Sequence, residues 1–184
     1  MLALMVAGIS QAQQGTLLVG GNIGFSSDRQ EAGSVETKSD LFYFSPRVGY
    51  QFTENLTAGV TASLENSEAT DMESRTFKVG PFVRYARSLG DSGLFSVYAD
   101  LDMGYQSARD KTGMGATDKY NGLYANLTPA LFINFKKGFG LNFSIGGLGY
   151  NSLTHTDNSD VKRSGFDFNF GKTVNIGISK NFNL

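Results

Sequence analysis

The 184-residue chain has the length of a single domain and a net charge of −1, without the excess of basic residues that marks a nucleic-acid-binding surface. It contains no cysteine and one histidine, His155, which excludes disulfides and thiolate metal sites and leaves little for histidine-based metal binding or acid–base work; no cofactor is expected. Glycine is frequent at 23 residues and phenylalanine at 15, against 3 prolines, a mixture that suits a β protein with aromatic surfaces better than a helical bundle.

The chain opens on its longest apolar run, Met1 to Ile9, followed by Ser10-Gln11-Ala12, a small-x-small site after which a signal peptidase can cut. The sequence therefore predicts a signal peptide over 1–12 and a mature domain over 13–184. The positive n-region is missing, so the true translation start is expected upstream. A buried N-terminal strand or helix is the plainer alternative. No stretch reaches the roughly 18 to 20 apolar residues that a transmembrane helix requires.

After Gly15 the polarity alternates with period two, the signature of β structure. Eight runs are predicted as strands, at 16–27, 39–52, 55–65, 73–88, 94–107, 119–135, 139–152 and 165–182. Each matches or exceeds the roughly 9 to 11 tilted residues that cross a bilayer. The connections alternate in length. Three are short, at Thr53-Glu54-Asn55, Gly90-Asp91-Ser92-Gly93 and Lys136-Lys137-Gly138; four are long and polar, near 28–38, 66–72, 108–118 and 153–164. Most charged residues lie in or beside the long connections. Short turns at one end and longer loops at the other describe an outer-membrane barrel.

Within the runs one face is apolar. Phe42, Phe44, Pro46, Val48, Tyr50 and Phe52 share a side of the second run, and Phe77, Val79, Pro81, Val83 and Tyr85 a side of the fourth. The opposite face is Gly, Ser, Thr, Asn and charge, with little bulky apolar material to build a core. A soluble barrel turns its apolar face inward; a membrane barrel turns it to lipid. Small and hydrogen-bonding residues fit the narrow interior of eight strands. Aromatic residues near both strand ends match two membrane interfaces. Closure is required because an open edge in lipid leaves backbone groups unpaired. The expected fold is thus all-β, an eight-stranded antiparallel up-and-down transmembrane β-barrel in the bacterial outer membrane, with both termini periplasmic. A soluble ligand-binding barrel of the lipocalin kind would have an apolar interior and usually a tryptophan near its first strand; this chain has none.

All three prolines, Pro46, Pro81 and Pro129, fall on the apolar face of even-numbered strands, a few residues before a short turn. Proline lacks a backbone donor, so three equivalent placements predict a shared bulge and an internal hairpin repeat. Pro46 to Tyr50 and Pro81 to Tyr85 share a Pro-x-x-x-Tyr pattern, and the chain closes on Gly165 to Phe170 and Asn175 to Phe182. With these motifs the sequence resembles the OmpA/OmpX-like outer-membrane β-barrel domain family over about residues 16–182. The resemblance implies that Asn175, Gly177 and Phe182 form the last-strand signal read by the barrel-assembly machinery. Lys180 in a usually apolar place and Asn183-Leu184 after the aromatic depart from that pattern; Lys180, at the interface, can snorkel.

The polar face carries Arg47, Lys78, Arg84, Asp100 and Asp102, with Glu65 and Asp167 as further candidates. Buried charges must be paired, and Arg84 and Asp100 lie on strands joined by a short turn, so they are expected to face each other. The preferred reading is a salt-bridge network that plugs the lumen, and the alternative is a constriction in a narrow ion-selective pore. His155, with Ser152, Thr154 and Asp157 nearby, raises a lesser alternative, a lipid A-modifying hydrolase at the barrel rim. Period two aims Lys172 at lipid, where a charge costs about 2–4 kcal/mol at the midplane; a bulge near Gly171 or strand extension above the bilayer would relieve it. The expected partners are outer-membrane lipids, the assembly machinery and an extracellular ligand of the loops, in a structural or adhesin-like role.

Overall fold

The computed structural model describes residues 15–32, 35–70, 72–113 and 115–183. The predicted signal peptide, 1–12, and the side chain of Lys172 lie outside the described residues. Eight strands follow in order: β1 (Thr16–Ala32), β2 (Val35–Gln51), β3 (Leu56–Ala69), β4 (Met72–Leu89), β5 (Phe95–Thr112), β6 (Thr117–Lys136), β7 (Phe139–His155) and β8 (Lys162–Asn183). Each pairs antiparallel with its sequence neighbours, and β8 returns to β1, closing the sheet into the predicted up-and-down barrel.

The barrel is apolar outside and polar within. Ile23, Phe25, Leu123 and Phe168 are 66–72% exposed, while Asp100 and Gln106 are 2% exposed. Burying an apolar side chain of this size is worth about 1.5–3 kcal/mol. A surface carrying dozens of them bare is stable only against lipid.

At the short-turn end the strands stop within one residue of the positions read from the sequence. Two devices make those turns. Thr53 Oγ1 accepts from the backbone N–H groups of Asn55 and Leu56 at 3.3 and 3.1 Å. Lys137 and Gly138 both take positive φ, 51° and 75°, the pairing a tight two-residue hairpin requires.

At the other end the expected long loops are corrected. β1 runs on to Ala32, β3 to Ala69, β5 to Thr112 and β7 to His155, and β8 starts at Lys162. At least half of each polar segment is strand. Beyond the bilayer both faces meet water, so the apolar alternation that marks a half-buried strand vanishes while the ladder continues.

The shared proline bulge is also corrected. Pro46 and Pro81 sit in ladders whose register is the same on both sides of them. Only Pro129 coincides with a shift, between Leu127 and Ala130 against β7. The common feature is simpler: each proline interrupts pairing toward the strand joined by the following short turn, the edge its missing N–H would have served. The larger irregularity lies in β8, where residues 171–174 bulge opposite Ile145 and Gly171 takes φ 77°. The ladder that closes the barrel is described at the short-turn end. Among the described residues β1 and β8 pair only from Thr16↔Asn183 to Asn22↔Gly177, so their outer halves are held by β2 and β7 alone.

Candidate functional site

Register brings the central lumen charges together. Arg84 on β4 stands directly opposite Asp100 on β5, and its Nε and Nη2 donate to the two carboxylate oxygens at 2.7 and 2.8 Å. From β2, three strands away, Arg47 Nη1 donates to Asp100 Oδ2. One carboxylate, 2% exposed, thus holds two guanidinium groups. Both groups stand over aromatic rings: Arg84 Cζ lies 3.7 Å from the Tyr98 centroid and Arg47 Cζ 5.5 Å from that of Phe82. Such cation–π placement suits arginine, whose guanidinium is weakly hydrated.

Room for the rings comes from small neighbours. A Cβ on Gly49 would lie 2.8 Å from the tip of Phe82, and one on Gly140 2.6 Å from the Phe132 ring. Tyr98 extends the network, donating its hydroxyl to Asn142 Oδ1 at 3.0 Å, and Asn142 Nδ2 donates to Ser179 Oγ at 3.0 Å. A continuous polar chain therefore crosses the lumen from β2 to β8.

Lys78 and Asp102 do not join it. Lys78 Nζ sits 5.4 Å from the Tyr124 centroid, and Asp102 accepts from Asn126 Nδ2 at 3.1 Å. Of the five central charges read from the sequence, three are in contact and two have neutral partners. Glu65 and Asp167 are exposed. Below the crossing chain a cavity of about 650 Å³ opens toward the short-turn end, lined by polar residues such as Gln51, Thr57, Ser96 and Asn134.

A second inward tier sits near the outer mouth. Arg163 Nη1 donates to Asp110 Oδ2 at 3.0 Å and its guanidinium lies 4.0 Å from the Tyr120 centroid, while Ser74 donates to the other oxygen of Asp110 at 2.8 Å. His155 abuts Tyr120 edge-on at 5.1 Å. Its Nε2 faces Asp118 Oδ1 at 3.4 Å, and its Nδ1 accepts from the backbone N–H of Asp157 at 3.2 Å. Ser152 lies three residues away on the same strand, and so on the opposite face. With both ring nitrogens engaged elsewhere, the described residues place no hydroxyl on the imidazole. The serine–histidine arrangement considered from the sequence is not assembled.

The remaining candidates sit on the wall. Pro46 and Pro81 are exposed on the outer face with Phe44, Val48 and Val83, and Pro129 is half-buried there. In β8, Asn175 pairs with Ser144, Gly177 with Asn142 and Asn22, and Phe182 with Leu17. The aromatic residues under the lumen cations were readable in outline, since Phe82 and Tyr98 fall on the polar side of the alternation. Asn142 and Ser179 carried no such signal among the many polar residues of β7 and β8.

An inside-out closed barrel with a charged lumen agrees with the family comparison, in which residues 1–184 match the outer membrane protein beta-barrel domain. The chain belongs to that family. Its place is the bacterial outer membrane, and the resemblance read from its strand motifs holds. Among solved structures, Neisserial surface protein A shares the fold with a TM-score of 0.54 at 14% identity, over 91% of this chain and 96% of that one. The translocator domain of the autotransporter NalP from Neisseria meningitidis matches at 17% identity and TM-score 0.46, covering 94% of this chain and 70% of that one. Ail of Yersinia pestis, determined in a phospholipid bilayer nanodisc, matches at 16% and 0.36, covering 92% and 100%. No curated protein matches the sequence.

Proposed function

We propose that this family member is a non-conducting surface barrel whose polar hairpins contact envelope components, other cells or host molecules, with both termini in the periplasm. The closed lumen rests on one observation, the grip of Asp100 on Arg47 and Arg84 across the interior. The short-turn end as the periplasmic end follows the usual asymmetry of such barrels. The surface role is supported by strands that carry mixed charge beyond the apolar band as ordered sheet. The last strand, through Asn175, Gly177 and Phe182, addresses the barrel-assembly machinery during biogenesis.

Orientation and role are tested on cells. The chain lacks cysteine, so Asn158→Cys gives a unique thiol that a membrane-impermeant maleimide should label on intact cells. Glu54→Cys should label only after the envelope is opened; the reverse pattern would invert the topology. Cells making the protein should bind a test surface more than vector controls, and removal of residues 157–160 should abolish the gain. The second reading is a narrow pore, favoured by the cavity of about 650 Å³ beneath the crossing chain. Steady unit conductance steps from wild-type protein in a planar bilayer would replace the first reading with it.

A further inference from the structure

On the outer face of the wall three adjacent strands carry cations in register. Arg75 on β4 stands opposite Arg109 on β5, and Arg109 opposite Lys119 on β6. Like charges directly opposite across strands repel, so such a row is favourable only with an anion beside it. Arg75 has one, Glu73, at 2.6 Å, which it shares with Lys111. Among the described residues nothing pairs with the side chain of Arg109 or of Lys119.

The rows beneath change character in order. Two residues toward the bilayer the same face presents Phe77, Ser107 and Asn121, and two further on, Val79, Tyr105 and Leu123. At about 3.3 Å of rise per residue, successive rows lie about 7 Å apart along the strands. Tyr105 donates its hydroxyl to Asn121 Oδ1 at 2.7 Å, fixing the amide. The cation row, the row of Phe77, Ser107 and Asn121, and Tyr105 below them line an outward-facing depression of about 580 Å³, with Phe42 and Leu64 on its β2–β3 side.

The geometry points to a binding site for a phosphorylated glycolipid of the outer leaflet, the lipid A class. Its acyl chains lie along the apolar row, its sugar hydroxyls meet Ser107 and Asn121, and its phosphate bridges Arg109 and Lys119. Charge complementarity selects the occupant: the cations stand just above the aromatic edge of the apolar band, where headgroup phosphates lie, and the guanidinium fork matches phosphate oxygens. The assignment to the outer leaflet rests on the orientation proposed above.

Native mass spectrometry of the refolded protein in detergent tests the site, using bisphosphorylated lipid A and the same lipid with both phosphates removed. The phosphorylated lipid should bind at least tenfold more tightly. Arg109→Ala/Lys119→Ala should fall to the level of the phosphate-free lipid, whereas Arg109→Lys/Lys119→Arg should keep most of the binding. Both side chains are exposed, so both variants should keep the mobility of folded barrel on unheated gels. If the alanine variant does not fold, the phosphate dependence of the wild type still decides. Equal binding of the two lipids, or unchanged binding by folded double-alanine protein, overturns the proposal. Displacement of lipid A by millimolar inorganic phosphate would also overturn it, because the site would then be a free-anion site. Micelles have no sidedness, so an inverted topology would show in the cell labelling and leave this result intact.

Discussion

Asp100 serves two guanidinium groups at once, and its removal strands both. Breaking a buried ion pair from one side costs about 3–5 kcal/mol, because the partner charge stays buried without compensation. Asp100→Ala should therefore lower the unfolding free energy of the refolded barrel, read from a urea titration, by an amount in that range, and its urea midpoint with it. Arg84→Lys should cost less, since it keeps a charge beside Asp100 and loses the paired hydrogen bonds and the guanidinium contact with the Tyr98 ring. A midpoint unmoved by Asp100→Ala would show that the crossing chain adds nothing to the wall. Arg84 facing Asp100 is legible from the sequence, because a short turn fixes the offset between β4 and β5. Arg47 is not: its reach to Asp100 depends on the curvature that closes eight strands, and no local spacing encodes that.

The strand extensions behave differently from the membrane wall. Lys111 donates to Glu73 at 3.0 Å, and this bond, with the charges of Lys111 and Arg75 beside it, holds the Glu73 carboxyl below its ordinary value of 4.5. A lowered carboxyl stabilises the folded hairpin above that ordinary value, and the contribution disappears as pH falls through the depressed one. Amide exchange at the outer ends of β4 and β5, corrected for intrinsic rates, should therefore accelerate between pH 5 and pH 2 (roughly the acid range in which paired carboxylates titrate). Lys111→Ala should flatten that dependence. In β8 the expectation concerns biogenesis: Phe182→Ala should reduce the amount of barrel in the outer membrane while leaving detergent refolding unchanged. Equal loss in both assays would make Phe182 a packing residue instead. The bilayer-facing parts of the strands are legible because lipid on one side and a polar lumen on the other impose period two. The extensions lack that contrast, and the bulge at 171–174 has no sequence mark beyond Gly171.

At the scale of the whole molecule, the closed hydrogen-bond ladder predicts resistance to SDS without heat. Unboiled refolded protein should migrate apart from boiled protein, and Asp100→Ala should lower the temperature at which the two bands merge. Identical migration, in a protein soluble without detergent, would contradict the lipid-facing wall. The inside-out arrangement is legible in the sequence, since Arg47, Lys78, Arg84, Asp100 and Asp102 share the face that lacks bulky aliphatic side chains. The alternation also places Phe82 and Tyr98 on that face, but no local spacing shows that they stand beneath Arg47 and Arg84.

The seam between β1 and β8 gives the tube uneven mechanics. Fastened from Thr16 to Asn22, with no further β1–β8 pair among the described residues, it resembles a cylinder slit along part of its length, stiff at the base and compliant in torsion at the rim. Lateral pressure from crowded lipids is then absorbed by widening or narrowing of the slit, with no ladder bond broken lower down. A spin-label pair on Ser27 and Ser164 should report a broad distance distribution. A pair on Thr16 and Asn183 should report a narrow one.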